Sequence, residues 1–133
     1  MVITVNFDSD QPIYEQLRNQ IVIGIGTGEL ASGDKLPTVR QLADDLGVNA
    51  MTVNKAYMLL KNEGYIIIDR RHGAKIRPHL NGEGNYRAEL EEDLKLVISE
   101  ASIRGMNQDE FLAICKKLFG TIAFNRDSSA LQE

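Results

Sequence analysis

Arg70, Arg71, Lys75 and Arg77 fall within eight residues, together with His72, and among residues 69–77 only Asp69 opposes them. A cluster of fixed positive charge suits a polyanion, because it neutralises phosphates and supplies no nucleophile. Little else in the chain could run a reaction. Two histidines (72 and 79), one cysteine and scattered carboxylates offer neither a nucleophile–base pair nor a metal-ligand spacing. With Cys115 alone there is no intramolecular disulfide and no multi-cysteine zinc site, and its place among Ile114, Lys116 and Leu118 reads as a buried small hydrophobe on a helix. Glu89, Glu91, Glu92 and Asp93, without a histidine, read as a solvated helix face. Gly24, Gly26 and Gly28 could suggest a phosphate loop, but the lysine that follows such a loop is missing and the preceding pattern is helical. The expectation is no enzyme, no metal and no cofactor.

The chain has 133 residues, 43% of them hydrophobic, enough for one ordinary domain or a small one with an appendage. Its net charge of −4 seems wrong for a nucleic-acid binder. Placement matters more than the average: residues 1–78 carry nine basic and nine acidic side chains, whereas residues 79–133 carry six and ten. The acidity belongs to the tail. No N-terminal segment joins a basic start to an apolar run, and nothing approaches 18 uninterrupted apolar residues, so a cytoplasmic, bacterial-type protein without a membrane partner is expected.

Positioning elements follow from periodicity and punctuation. Val2 to Phe7 alternates weakly, as a strand does, and Asp8-Ser9-Asp10 offers capping side chains ahead of Pro12, so a helix should begin near Gln11. Ile13, Leu17, Ile21 and Ile25 make its apolar stripe, and Gly28 ends it. After the Ser32-Gly33-Asp34 turn, Pro37 or Thr38 opens a short helix, Val39 to Leu46, with Leu42, Ala43 and Leu46 inward, which Gly47 stops. Asn49 can cap a third helix, Ala50 to about Glu63, before Gly64. Two short helices around a tight Gly turn have helix-turn-helix spacing. On the third helix Val53, Ala56, Tyr57 and Leu60 form one face, while Met51, Asn54, Lys55 and Met58 form another with no apolar reason to be buried. For Met51 and Met58, ordinary packing and contact with a partner both stay open. Tyr65 to Asp69, a turn at Arg70 to Gly73, and Ala74 to Arg77 make a β-hairpin, hence a wing. Pro78 to Asn85 reads as a linker. Beyond it, Leu90, Leu94, Val97, Ile98 and Ala101 mark one amphipathic helix ending near Gly105, and Phe111, Ile114, Leu118 and Ile122 mark another. Such a pair buries little alone and needs cover.

These residues stand in a fixed order: Gly28-Glu29-Leu30, Gly33-Asp34-Lys35-Leu36-Pro37-Thr38-Val39-Arg40, Leu42-Ala43, Leu46-Gly47-Val48, Thr52-Val53-Asn54-Lys55-Ala56-Tyr57, Leu60 and Glu63-Gly64. Over roughly residues 10 to 78 the chain resembles the GntR family of regulators, and its brief two-helix tail resembles the YtrA-like subgroup. The resemblance implies a DNA contact for Arg40, whose donor fork fits guanine O6 and N7, and a phosphate contact for Thr38. It places Asn49, Thr52, Asn54 and Lys55 at the start of the recognition helix, with Lys55 on a phosphate. Ala50 and Met51 stand where many members carry Arg or Ser and a second Thr, and either could touch a thymine methyl. At the wing tip, His72 and Gly73 with Arg70 and Arg71 match a minor-groove approach, although the usual Gly-x-Gly-Thr ending survives only as His72-Gly73-Ala74-Lys75.

The expected fold is mainly α with a small β-wing: a winged helix-turn-helix domain over 1–78, a linker over 79–85, a two-helix dimerisation hairpin over 86–124, and disorder over 125–133. The expected function is a sequence-specific transcriptional regulator, a repressor binding a pseudo-palindromic operator in double-stranded DNA as a homodimer. Leu90, Leu94, Val97, Ile98, Phe111, Ile114, Leu118 and Ile122 are expected to make the dimer, and a small-molecule effector, if one acts, to sit at that interface. The alternative is a winged-helix protein-interaction module without DNA binding, since a fold does not fix a function; Arg40, Lys55 and the basic wing favour DNA.

Overall fold

A computed structural model describes residues 2–80 and 83–124. They divide into two compact units, residues 2–80 with 123–124, and residues 83–122.

In the first unit, α1 (Ile13–Thr27) and α2 (Val39–Leu46) pack on α3 (Ala50–Glu63), and α3 meets β1 (Ile66–Asp69), which pairs antiparallel with β2 (Gly73–Ile76). The stripe foreseen on α1 is the core face: Leu17 and Ile21 are fully buried and Ile25 nearly so. From α3 the core takes Val53, Ala56, Tyr57 and Leu60, from α2 Leu42 and Ala43, and from the hairpin Ile66, Ala74 and Ile76. Local chemistry sets the helix ends. Thr38 and Gln41 form a reciprocal capping box on α2, Asn49 Oδ1 accepts the Met51 N–H at 2.8 Å on α3, and Gly47 and Gly64 stop the two helices in the left-handed conformation. The turn between α2 and α3 is therefore short and rigid.

Two expectations at the N-terminus are corrected. Residues 2–6 form no strand: the chain is bound to α1, where Gln16 and Gln20 replace a partner strand. Gln16 Oε1 accepts the Asn6 N–H at 2.8 Å while its amide nitrogen donates to the Asn6 and Gln11 carbonyls; Gln20 makes the same reciprocal pair with Thr4. Glutamines one helical turn apart match alternate residues of an extended chain, so side chains satisfy what a ladder would. The helix itself starts at Ile13, with Pro12 as N-cap and no side-chain cap; Ser9 is spent on the Gln11 N–H instead.

The hairpin is wider than its two strands. Gly33 and Leu36 donate N–H groups to the Ile76 and Ala74 carbonyls, and Ile76 donates to Asp34, so the segment before α2 pairs with β2 through a Lys35–Lys75 bridge. This binds the entry of α2 to the wing. On the other side, the Tyr57 hydroxyl donates to the Pro37 carbonyl at 2.7 Å and burial pushes its phenol well above the ordinary range.

The second unit holds α4 (Glu83–Ile103) and α5 (Gln108–Phe119), joined by a short turn and an Asn107–Glu110 capping box. Helix α4 begins inside the segment expected as a linker to residue 85, and the span 125–133 lies outside the described residues. Apolar cover is scarce within this unit: Leu90, Leu94, Val97 and Ile98 are 38–49% exposed, and Ile114 and Leu118 are exposed as well, while Phe111 and Ile122 are half-buried. Cys115 is half-buried rather than buried, in the groove between the helices. Leu96 with Ile103, and Leu112 with Phe119, add exposed apolar pairs seven residues apart.

Candidate nucleic-acid interface

Three elements of the first unit carry the residues singled out above, and hydrogen bonds tie all three together. The Tyr57–Pro37 bond joins α3 to the start of α2, and the Lys35–Lys75 pairing joins that start to the wing.

At the start of α2, Thr38 Oγ1 accepts the Gln41 N–H at 3.1 Å, which leaves its hydroxyl hydrogen to donate outward. Arg40, two residues on, is exposed, and no described residue forms an ion pair with it. Its guanidinium is thus available to an external acceptor. The first turns of α3 present Ala50, Met51, Asn54 and Lys55 to solvent, with Thr52 half-buried. Met51 is 78% exposed, which removes core packing as its explanation; Met58, at 37%, lies on the margin. Asn49 spends its carbonyl oxygen on the cap and keeps its amide hydrogens. Lys55 is held: its ammonium lies 4.0 Å from the centroid of the Tyr14 ring on α1. Nothing in the helical spacing of α3 signals that contact, which depends on how α1 crosses it.

Farther along, Arg18 of α1 makes a two-pronged pair with Glu63, 2.7 and 3.0 Å, and lies over the Tyr65 ring. Helix α1 therefore fixes both ends of α3.

At the wing tip, Asp69 Oδ1 accepts the Arg71 N–H at 2.8 Å and Oδ2 meets His72 Nδ1 at 2.9 Å. The His72 ring and the Arg71 amide hold the Asp69 carboxyl below its usual range. The one acidic group of the basic cluster thus organises the turn. Arg70 and Arg71 stay exposed with no ion pair among the described residues. Gly73 sits at φ +72° with open space around its Cα, so the backbone conformation, not crowding, requires glycine there. Lys35, which the sequence does not group with the basic cluster, joins this basic surface because a backbone bridge brings it opposite Lys75.

The family model of bacterial regulatory proteins of the gntR family matches residues 11–76. The HTH-type transcriptional repressor YtrA of Bacillus subtilis is 35% identical over 112 residues, 82% of this chain and 85% of that protein. The regulator Rv1152 of Mycobacterium tuberculosis is 40% identical over 72 residues, and the match spans 54% of this chain and 60% of that protein. Among solved structures, a transcriptional antiterminator from Listeria monocytogenes superposes with a TM-score of 0.79 at 30% identity, covering 89% of this chain and 90% of that one. The DNA-binding domain of AraR in complex with an operator matches at a TM-score of 0.50 and 25% identity, over 58% of this chain and 95% of that one.

Proposed function

Because the chain belongs to the GntR family of bacterial regulatory proteins, within its YtrA-like subgroup, we propose that it is a repressor that binds a pseudo-palindromic operator as a homodimer. Its relatives are HTH-type transcriptional regulators, a family of DNA binders rather than enzymes. The observation that carries the reading is the linked surface of α2, α3 and wing, on which Arg40, Arg70 and Arg71 form no ion pair among the described residues. Arg40, Asn54 and Met51 reach base edges; Thr38, Lys55 and the amide of Asn49 bind phosphates; Arg70, Arg71, His72 and Gly73 enter the minor groove. Ala50 and Thr52 bound the same contact.

Residues 1–78 serve as the DNA-binding part and residues 86–124 as the dimerising part. The exposed stripes on α4 and α5 support this, because an apolar surface of this extent on two weakly covered helices is stable when a second copy shields it. Dimerisation sets two recognition helices about 34 Å apart, one turn of DNA. Between α4 and α5 lies a groove of about 460 Å³ lined by Leu94, Ile98, Phe111 and Cys115 with Ser102 and Asn107, and a small-molecule effector would bind there, closed over by the partner copy. Among the described residues no helix is long and apolar enough to cross a membrane, and cytoplasmic DNA is the target.

Selection of genomic fragments by the purified protein, followed by binding at two salt concentrations with and without Arg40→Ala, tests the proposal. An enriched inverted repeat, bound more weakly at high salt and lost with the variant, supports it. No enrichment, with parent and variant alike, turns the reading toward a protein-binding winged helix.

A further inference from the structure

The segment Gly33–Leu36 is no strand of its own, but it meets β2 through a single antiparallel bridge between Lys35 and Lys75. The bonds Leu36 N–H to Ala74 carbonyl and Ile76 N–H to Asp34 carbonyl, both 2.9 Å, flank Lys35 and Lys75. This makes the two lysines a directly opposed, non-hydrogen-bonded pair, the arrangement that brings cross-strand side chains closest. Both lie on the face away from the core, since Leu36, Ala74 and Ile76 are buried. Like charges directly opposite repel, and a fold that only needed a sheet would not keep them there.

No described residue relieves that repulsion. Neither lysine is in an ion pair, and Asp69, on the same strand face, is engaged by His72 and the Arg71 amide. Arg77, two residues beyond Lys75, adds a third positive charge. The geometry points to a phosphate site: Lys35 and Lys75 together clasp one DNA backbone phosphate between the contacts of the α2 N-terminus and those of the wing tip. Lys35 precedes Thr38 by three residues and Lys75 follows Gly73 by two, so both ammonium groups stand within reach of a strand that touches Thr38 and Gly73. Two flexible point charges suit a single phosphate and read no base; the site sets register and affinity, not sequence. This inference rests on the DNA-binding reading above.

The test uses full-length protein and a mixed-sequence DNA duplex across a salt series, with the Lys35→Gln/Lys75→Gln double variant and its Lys→Arg counterpart. Loss of one phosphate contact lowers the slope of log affinity against log salt by about 0.9 per protomer. The expected result is that loss for the glutamine variant, restoration by arginine, and a melting temperature equal to or above that of the parent because the repulsion is gone. An unchanged slope, or a lowered melting temperature, overturns the site and leaves the regulator reading standing. A parent that binds no duplex at any salt overturns both.

Discussion

The Lys55 ammonium rests 4.0 Å from the centroid of the Tyr14 ring, so a recognition-helix side chain is oriented by the first turn of a different helix. An exposed cation–π contact is worth about 0.5–1 kcal/mol, modest for stability. Its effect on binding is to restrict a long side chain before the phosphate arrives. Tyr14→Leu should therefore weaken operator binding about two- to fivefold per protomer, while Tyr14→Phe, which keeps the ring, should leave it near the parent value; fluorescence anisotropy measures both.

Arg40→Ala should lower specific affinity by about 1–3 kcal/mol and flatten the preference at one operator position. Because Arg40 is exposed and lacks an ion pair among the described residues, thermal melting should stay put. A comparable loss on every sequence would reassign it to a phosphate.

Tyr57→Phe removes the 2.7 Å bond to the Pro37 carbonyl while keeping the ring in the core. A net hydrogen bond of about 0.5–1.5 kcal/mol predicts a fall of a few degrees in melting temperature by calorimetry. Operator affinity should fall with it, since the bond aligns Thr38 and Arg40 with α3.

Asp69 ties the wing turn through the Arg71 amide and His72, and these hold its carboxyl below the usual range. A depressed acid contributes stability that is present above its ordinary value and disappears as pH falls through the lowered one. The wing turn should thus persist into mildly acid solution and loosen only below the ordinary aspartate range, seen as a shift of the Arg71 amide resonance. Asp69→Asn should loosen it already at neutral pH.

Deleting residues 86–133 should yield a monomer by sedimentation with far weaker operator binding, because one half-site is then held alone. A truncated chain that still dimerises would place the interface in the first unit.

Local signals were legible wherever one or two neighbouring residues decide the outcome. Gly47 marks the end of α2, and Asn49 and Gly64 mark the limits of α3, because capping and left-handed φ are properties of single positions, and the Leu17–Ile21–Ile25 stripe is read from helical spacing alone. The start of α1 was harder: Asp8, Ser9 and Asp10 are all competent caps, yet Gln16 draws the preceding chain along the helix and Pro12 takes the position. Residues 2–6 alternate like a strand, and only the absence of a neighbouring strand makes them a chain bound by glutamines.

The residue order by itself determined the family, the helix-turn-helix and wing, and the exposed polar face of α3, because periodicity, caps and a dense ordered motif are encoded within a few positions of one another. Tertiary structure alone decided which residues meet: the side chains of Tyr14 with Lys55 and of Arg18 with Glu63, and the backbone of Lys35 opposite Lys75. Those pairs depend on a helix crossing and on a strand register, which are set by how the buried faces of Leu17, Ile21, Leu60, Ile66 and Ile76 pack together and leave no trace in the spacing of the residues they bring into contact.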